Sequence, residues 1–291
     1  MRRFALQLSL TVLLAAGCHR DVVAPAAAVD AGQAKLVRTV RVTRVRGSVM
    51  RQLPDGTSLS VKAGDQLAAD DSLATDDGTA NLDVGGVADV EVAAQTRVSI
   101  GELTDTLSKV RLRDGRIGAV VHGDARRVLQ VDVPGSSAVA SASSGEFSML
   151  STGSQVTVAT RSGQVTLSAR GRSVRIGSGQ LSIVEHDQPP TAPQVLPPAL
   201  ILKLGAARAV TQRGKNTTVR GTTGPGAVVS INGIKLTADA HGEFSATVPL
   251  HEGANTLMVE SSDALGRRQR AAWPRVTVDT SAPETKTKVE W

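Results

Sequence analysis

The sequence predicts an all-β protein: a multi-stranded domain wrapped as a sandwich or solenoid, followed by a smaller β-sandwich. Three observations predict it. Apolar residues recur at every second position in short runs, as in Ala80, Leu82 and Val84, which is the period of a half-buried strand. Turn-forming Gly, Asp, Asn and Pro separate these runs at a spacing of roughly 8–12 residues. No long run carries apolar residues at the helical period, while Val and Thr, which favour strands, are abundant.

Composition agrees. The chain of 291 residues is long enough for two domains, at roughly 100–200 residues each. It is 41% hydrophobic but only 2% aromatic, with no Tyr, three Phe and two Trp, so its cores must be built from Val, Leu, Ile and Ala. The 28 Gly and 12 Pro suit many tight turns. A net charge of +6 would suit nucleic acid or an anionic membrane. The Lys and Arg residues are dispersed along alternating strands, however, and aromatic stacking platforms are nearly absent. No nucleic-acid partner is expected.

The N-terminus reads as an address. Met1-Arg2-Arg3 is basic, and Phe4 to Ala16 is apolar apart from Gln7, Ser9 and Thr11. Such a stretch is too short to span a bilayer, which takes roughly 20 residues, and fits the hydrophobic region of a signal peptide. It runs into Leu13-Leu14-Ala15-Ala16-Gly17-Cys18. Small residues directly before the single cysteine resemble the lipobox of bacterial lipoproteins, although Ala15 stands where that family has Leu. One cysteine cannot form an intramolecular disulfide, and a free thiol is unexpected in an exported protein; lipidation of Cys18 accounts for it. The resemblance implies a leader over residues 1–17 and a lipid anchor in the cell envelope. Because His19 and not Asp follows the cysteine, it implies the outer membrane, facing the periplasm. Residues 18–35 read as a flexible tether.

The first domain spans residues 36–187. Val40 and Val42 alternate, and Val45 and Val49 continue out of phase, which predicts a bulge near Thr43-Arg44. Asp55-Gly56 is a hairpin signal before Leu59 and Val61. In residues 62–84, Gly64-Asp65, Ala69-Asp70-Asp71 and Thr75-Asp76-Asp77-Gly78 are turns. Runs at Ala88–Val92, Val98–Ile100 and Val110–Leu112 lead to Asp114-Gly115, read as a second Asp-Gly turn. Strands follow at Ile117–Val121, at Leu129–Val133 up to Pro134-Gly135, and at Ala138–Ala142. After Gly145-Glu146-Phe147 and Val156–Val158, Arg161-Ser162-Gly163 reads as another turn before Val165 and Leu167. Val174 and Ile176, then Leu181 and Ile183, close the domain.

This succession resembles the FecR domain. The matching residues are Gly47-Ser48-Val49, Gly64-Asp65-x-Leu67, Asp71-Ser72-Leu73-Ala74-Thr75, Gly78-Thr79-Ala80-x-Leu82 and Thr96-Arg97-Val98. Leu112-x-x-Gly115-Arg116-Ile117, Gly145-Glu146-Phe147 and Ser162-Gly163-Gln164-Val165 complete the series. The resemblance implies an extracytoplasmic all-β module. FecR-type regulators of iron uptake add a cytoplasmic anti-sigma segment and a transmembrane helix; this chain departs from that plan, so the module carries over and the signalling circuit does not.

Residues 188–200 hold five prolines and read as a semi-extended linker. Residues 201–280 form a smaller unit. Val219, Val229 and Ile231, the strong hairpin signal Asn232-Gly233, Ile234, Leu236, Phe244, Val248, Leu257, Val259, Val276 and Val278 mark about seven strands, the number of an immunoglobulin-like sandwich. Pro225-Gly226-Ala227, Asp239-Ala240-His241-Gly242-Glu243-Phe244 and Val278-Asp279-Thr280 resemble bacterial Ig-like repeats. Residues 200–217 suggest only an ill-defined first strand, and residues 281–291 a loose tail.

No catalytic, metal or cofactor site emerges. His251-Glu252 begins like a zinc-protease motif, but Asn255 stands where the second His belongs and Gly253 breaks the required helix. Asp65, Asp70, Asp71, Asp76 and Asp77 lack the alternating spacing of a calcium loop and are explained by turn chemistry. The sequence therefore points to a membrane-anchored envelope lipoprotein that binds, scaffolds or senses without catalysis, through an unidentified envelope protein. The alternatives are a binder of peptidoglycan or another glycan, and a periplasmic signalling component related to FecR-type regulators.

Overall fold

Alternation builds the strands directly. The computed structural model describes residues 39–281, except 54, 124, 125 and 207, and every regular element in them is a strand. Among these residues no helix is long and apolar enough to cross a membrane. Cys18, the leader, the tether and the tail from residue 282 lie outside the described residues.

Strand β1 (Val40–Arg46) buries Val40 and Val42, and its pairing register shifts between Val42 and Arg44. The bulge stands where the sequence places it. β2 (Val49–Gln52) and β3 (Ser58–Ser60) form the hairpin signalled by Asp55-Gly56. β4 (Gln66–Leu67), β5 (Ser72–Thr75), β6 (Thr79–Val84), β7 (Ala88–Val92) and β8 (Thr96–Leu103) follow the alternating runs. Then come β9 (Leu107–Val121), β10 (Val128–Asp132), β11 (Val139–Ala142), β12 (Gly145–Ser151), β13 (Gln155–Ala169), β14 (Arg172–Gly177), β15 (Gln180–Glu185) and β16 (Gln194–Val195). These sixteen strands form one hydrogen-bonded sheet folded into two layers over a common core of Val, Leu, Ile and Ala. One layer runs β4-β1-β6-β7-β9-β12-β13-β15-β16, the other β3-β2-β5-β8-β9-β10-β11-β13-β14.

β9 and β13 belong to both layers, which corrects two turn assignments. Asp114-Gly115 and Arg161-Ser162-Gly163 do not reverse the chain. Asp114 pairs Arg97 in one layer, and Gly115 pairs Ser151 in the other. Gly163, at φ +78°, marks the same change in β13. A glycine at positive φ bends a strand sharply; whether the chain then reverses depends on its neighbours. Here β8 and β12 offer partners on either side, so the strand turns a corner and continues, as in orthogonally packed sheets. Gly115 has φ +95°, and a Cβ there would lie 2.6 Å from the Gln95 carbonyl oxygen. Buried threonines stitch the corner: Thr75 Oγ1 donates to the Ala93 carbonyl at 2.6 Å, and Arg116 N donates to Thr96 Oγ1 at 3.0 Å.

The acidic turns are structural at most positions. The Asp71 carboxylate, 3% exposed, is 2.6 Å from Arg51 Nη2 and accepts from Ala68 N. Asp65 accepts from Lys62 N, and Asp77 from Ser48 N.

The smaller sandwich comprises β17 (Lys203–Leu204), β18 (Val210–Gln212), β19 (Asn216–Thr222), β20 (Val228–Ile231), β21 (Ile234–Thr237), β22 (Glu243–Pro249), β23 (Gly253–Asn255), β24 (Met258–Ser262), β25 (Arg268–Ala272) and β26 (Val276–Val278). β17-β19-β22 is one layer; β21-β20-β24-β25 and β18-β26-β23 make up the other. Pro274 interrupts that second layer, and Trp273 N donates to the Leu257 carbonyl at 2.9 Å to join its parts. Asn232 and Gly233 both have positive φ, as a type I′ hairpin requires. The ill-defined stretch at 200–217 resolves into two short strands serving different layers: β17 pairs β19, and β18 pairs β26 in parallel. Asn255 explains the failed zinc motif, since its side chain closes the local turn on His251 N and O at 2.9 and 2.7 Å.

The proline-rich segment is strapped to the edge of β15. Thr191 N donates to Ile183 O at 2.8 Å, and Leu196 N to Gly179 O at 2.8 Å. An edge suits it, because proline has no donor for a central ladder. β12, the first half of β13 and β15 are buried on both faces. Val156, Val158 and Val184 face the sandwich core, whereas Leu150, Ala159, Leu181 and Ile183 face outward and pack with Val228, Ala240, Ala264 and Leu265 of the smaller sandwich. Leu181 and Ile183 thus join the two sandwiches instead of closing the first core. The contact is close at Gly226, where a Cβ would meet Gln155 Nε2 at 3.1 Å and Ile183 Cδ1 at 3.2 Å.

Asp187, just after β15, ties three turns together. It accepts from Ser137 Oγ at 2.5 Å and Ser137 N at 2.6 Å, and pairs with Arg170. The Ser137 hydrogen bonds, with a smaller contribution from Arg170, hold its carboxyl below the ordinary value of 3.8. A folded-state pKa below the unfolded one stabilises the fold above the unfolded value, and the benefit is lost as pH falls through the folded value. Acid unfolding of Asp187→Asn, followed by circular dichroism below about pH 4, should be less steep than that of the parent; identical acid limbs would dispose of this role.

Candidate functional site

Two surfaces face each other across a cleft of about 1050 Å³. One wall is the outer face of β21-β20-β24-β25. Pairing register sets its side chains in two rows: Thr237, Val228, Ser262 and Arg268, then Lys235, Ser230, Glu260 and Arg270. The other wall is the end of the larger sandwich where chains change layers or reverse. It presents Asp76 and Asp77 from the β5–β6 turn, Gln95 from the β7–β8 turn, Asp114 to Arg116 from the β9 corner, and the β12–β13 hairpin. A smaller pocket of about 370 Å³ extends the cleft past Gln95, Arg97 and Asp114 to Ser48 and Met50.

Most charges in the cleft are paired within their own wall. Arg97 binds Asp114 through two hydrogen bonds of 2.9 and 3.0 Å, which raise the guanidinium above its ordinary value and keep it charged. Arg116 lies 3.3 Å from Glu91, and Arg270 lies 3.1 Å from Glu260. The buried Asp263 pairs with Arg267 at 2.6 Å, and Arg267 also donates to the Pro197 carbonyl. Across the cleft, Lys235 Nζ donates to Gln95 Oε1 at 2.7 Å, and Thr237 Oγ1 to Thr152 Oγ1 at 3.3 Å. Among the ionisable side chains of the described lining residues, those of Asp76, His186 and Arg268 have no partner. The cleft therefore offers a carboxylate, an imidazole and a guanidinium to whatever enters.

Among the described residues its lining holds no Phe, Tyr or Trp. Trp273, one of the chain's two tryptophans, is 8% exposed and packed in the core of the smaller sandwich; Trp291 lies outside the described residues. Among the described residues no group of three His, Cys, Asp or Glu is placed to hold a metal ion. Cys18, the single site residue read from the sequence, also lies outside them. Sequence reasoning missed Lys235 and Arg268, since each is one more polar position on an alternating strand. The available signal was the two-sided apolar pattern around Leu150, Ala159 and Leu181-x-Ile183-Val184, which requires a second surface over that face.

No protein-family model matches the chain, and no curated protein matches it. Among solved structures, two crystal structures of candidate anti-sigma factors from Parabacteroides distasonis are similar. One is 15% identical over 43% of this chain and 59% of that chain, with a TM-score of 0.39. The other is 16% identical over 54% and 58%, with a TM-score of 0.34. The chain spans just under three fifths of the length of the solved chains it matches. Likenesses at this level carry no argument about function. The structure itself defines the class: an all-β protein of two packed sandwiches with a polar cleft between them.

Proposed function

We propose that this protein is a lipid-anchored lipoprotein of the bacterial cell envelope that binds an envelope protein in the cleft between its sandwiches, without catalysis. The observation that carries this reading is that a strand-built wall and a wall of turns and corners leave unpartnered Asp76, His186 and Arg268 side chains in the space between them. Preformed polar surfaces of mixed charge give specificity and steer a partner of complementary charge. The carboxylates Asp114, Glu260 and Asp263 are held by arginines, which favours binding over acid–base chemistry. The lack of Phe, Tyr and Trp among the described lining residues favours protein over glycan. Anchoring rests on the Leu13 to Cys18 sequence, and outer-membrane residence on His19. A signalling role of the FecR type would use the same cleft and would be recognised by the identity of the partner.

Capture from an envelope extract tests the reading. The wild-type chain should retain a protein near one-to-one. Arg268→Glu and Asp76→Lys should each weaken retention by roughly tenfold or more, since like-charge juxtaposition costs several kcal/mol. Equal recovery on all three chains would overturn the site. Intact mass tests the anchor: the mature protein should begin at an acylated Cys18, and a retained Met1 would contradict it.

A further inference from the structure

The first strand carries a second surface. β1 reads Val40-Arg41-Val42-Thr43-Arg44-Val45-Arg46. In an unbroken strand, Arg41 would point to one face, and Arg44 and Arg46 to the other. The bulge at Thr43 inserts one residue and restores the phase. Val40, Val42 and Val45 then share the core face, and Arg41, Arg44 and Arg46 share the outer face. All three arginines are exposed, and among the described residues none of them has a hydrogen-bond or ion-pair partner. The carboxylates on β6 and on β7 beyond it already have contacts: Asp83 accepts from Gly86 N at 2.7 Å, Asp89 lies 3.0 Å from His122, and Glu91 lies 3.3 Å from Arg116. The result is a row of three exposed guanidiniums that make no ion pair with any described residue, spaced about 7 Å apart along the strand; Asp83 stands opposite Arg41 in the register.

We infer that this row docks the larger sandwich onto an anionic phospholipid surface. Charge complementarity fits a layer of phosphate headgroups, because Arg forms bidentate hydrogen bonds with phosphate. Chain position selects the bilayer as the source of those phosphates. β1 follows Cys18 by only about 20 residues, so a lipid on Cys18 would keep the row within roughly 70 Å of the membrane whatever path the chain takes. The inference rests on the lipid-anchor reading for this choice of partner. Docking through β1 would fix one face of the sandwich to the membrane, while the cleft uses a different surface.

The full chain carrying Cys18→Ser, which lacks the lipid attachment site, is mixed with phosphatidylcholine vesicles with and without phosphatidylglycerol. Partition to the phosphatidylglycerol vesicles should be roughly a hundredfold stronger, at about 1 kcal/mol per arginine, and should vanish in about 1 M salt, where the Debye length is about 3 Å. The triple variant Arg41→Gln, Arg44→Gln, Arg46→Gln should lose this preference. Arg172→Gln with Arg175→Gln, which removes two exposed arginines of β14, should keep it. Equal partition to both vesicles, or an unchanged triple variant, would overturn the proposal. So would displacement by millimolar inorganic phosphate, which indicates a small-anion site, or equally tight arginine-dependent retention on duplex DNA. Failure of the anchor reading is seen separately, in the intact mass of the wild-type protein.

Discussion

Gly115→Val is expected to unfold the larger sandwich under conditions in which the parent is folded. Gly115 sits at the β9 corner with φ +95°, where a β-branched residue is strongly disfavoured. Strain there costs about 1–3 kcal/mol. The new side chain must also displace backbone, since its Cβ falls 2.6 Å from both the Gln95 carbonyl oxygen and Thr96 Cα. Overpacking adds about 1–3 kcal/mol, and together the two terms remove a large share of a stability of about 5–15 kcal/mol. Gly135→Val separates the terms. Gly135 has φ +85° but nothing within 4 Å of a built Cβ, so only backbone strain applies. Urea unfolding should place the Gly115 variant well below the Gly135 variant; coincident midpoints would remove the corner from the explanation of the fold.

Ile183→Asp is expected to part the two sandwiches while the larger one stays folded. Ile183 is fully buried, but in the cluster shared with the smaller sandwich. A carboxylate there loses the apolar contact and must be desolvated or neutralised, at a cost of several kcal/mol. The adjacent Val184 lies in the core of the larger sandwich, so Val184→Asp should unfold that sandwich instead. Limited proteolysis distinguishes the outcomes. The Ile183 variant should be cut within residues 188–200 and leave a resistant fragment of the larger sandwich, whereas the Val184 variant should be degraded through it. The same cleavage pattern for both would mean that neighbouring residues on β15 do not serve separate cores.

Much of this architecture is legible in the chain. Val40, Val42 and Val45 announce both a strand and its bulge, and Asn232-Gly233 announces a hairpin. Local residues fix these features, so local reading finds them. Asp114-Gly115 shows where such reading stops. The dipeptide supplies the positive φ of a turn, but partner strands from distant sequence decide whether the chain reverses or changes layer. The same holds for the residues that carry the resemblance to the FecR domain. Gly47-Ser48, Gly78-Thr79, Thr96-Arg97, Gly115-Arg116, Gly145-Glu146 and Ser162-Gly163 all stand where the chain passes from one layer to the other. They specify corners, and for that reason they say little about a ligand. The cleft was not legible at all. Lys235 and Arg268 come together with Asp76 only because Ile183 and Leu181 face outward, and outward-facing residues on a strand of unknown phase look like core residues.

The most direct measurement is photo-crosslinking in living cells, with a benzophenone side chain placed at Lys235 in the cleft or at Thr218, exposed on the opposite layer of the smaller sandwich. Position 235 should give one discrete adduct with an envelope protein, weakened by Arg268→Glu, and position 218 should give none. No adduct from position 235, or the same adduct from both positions, would contradict the assignment of the cleft as the binding site.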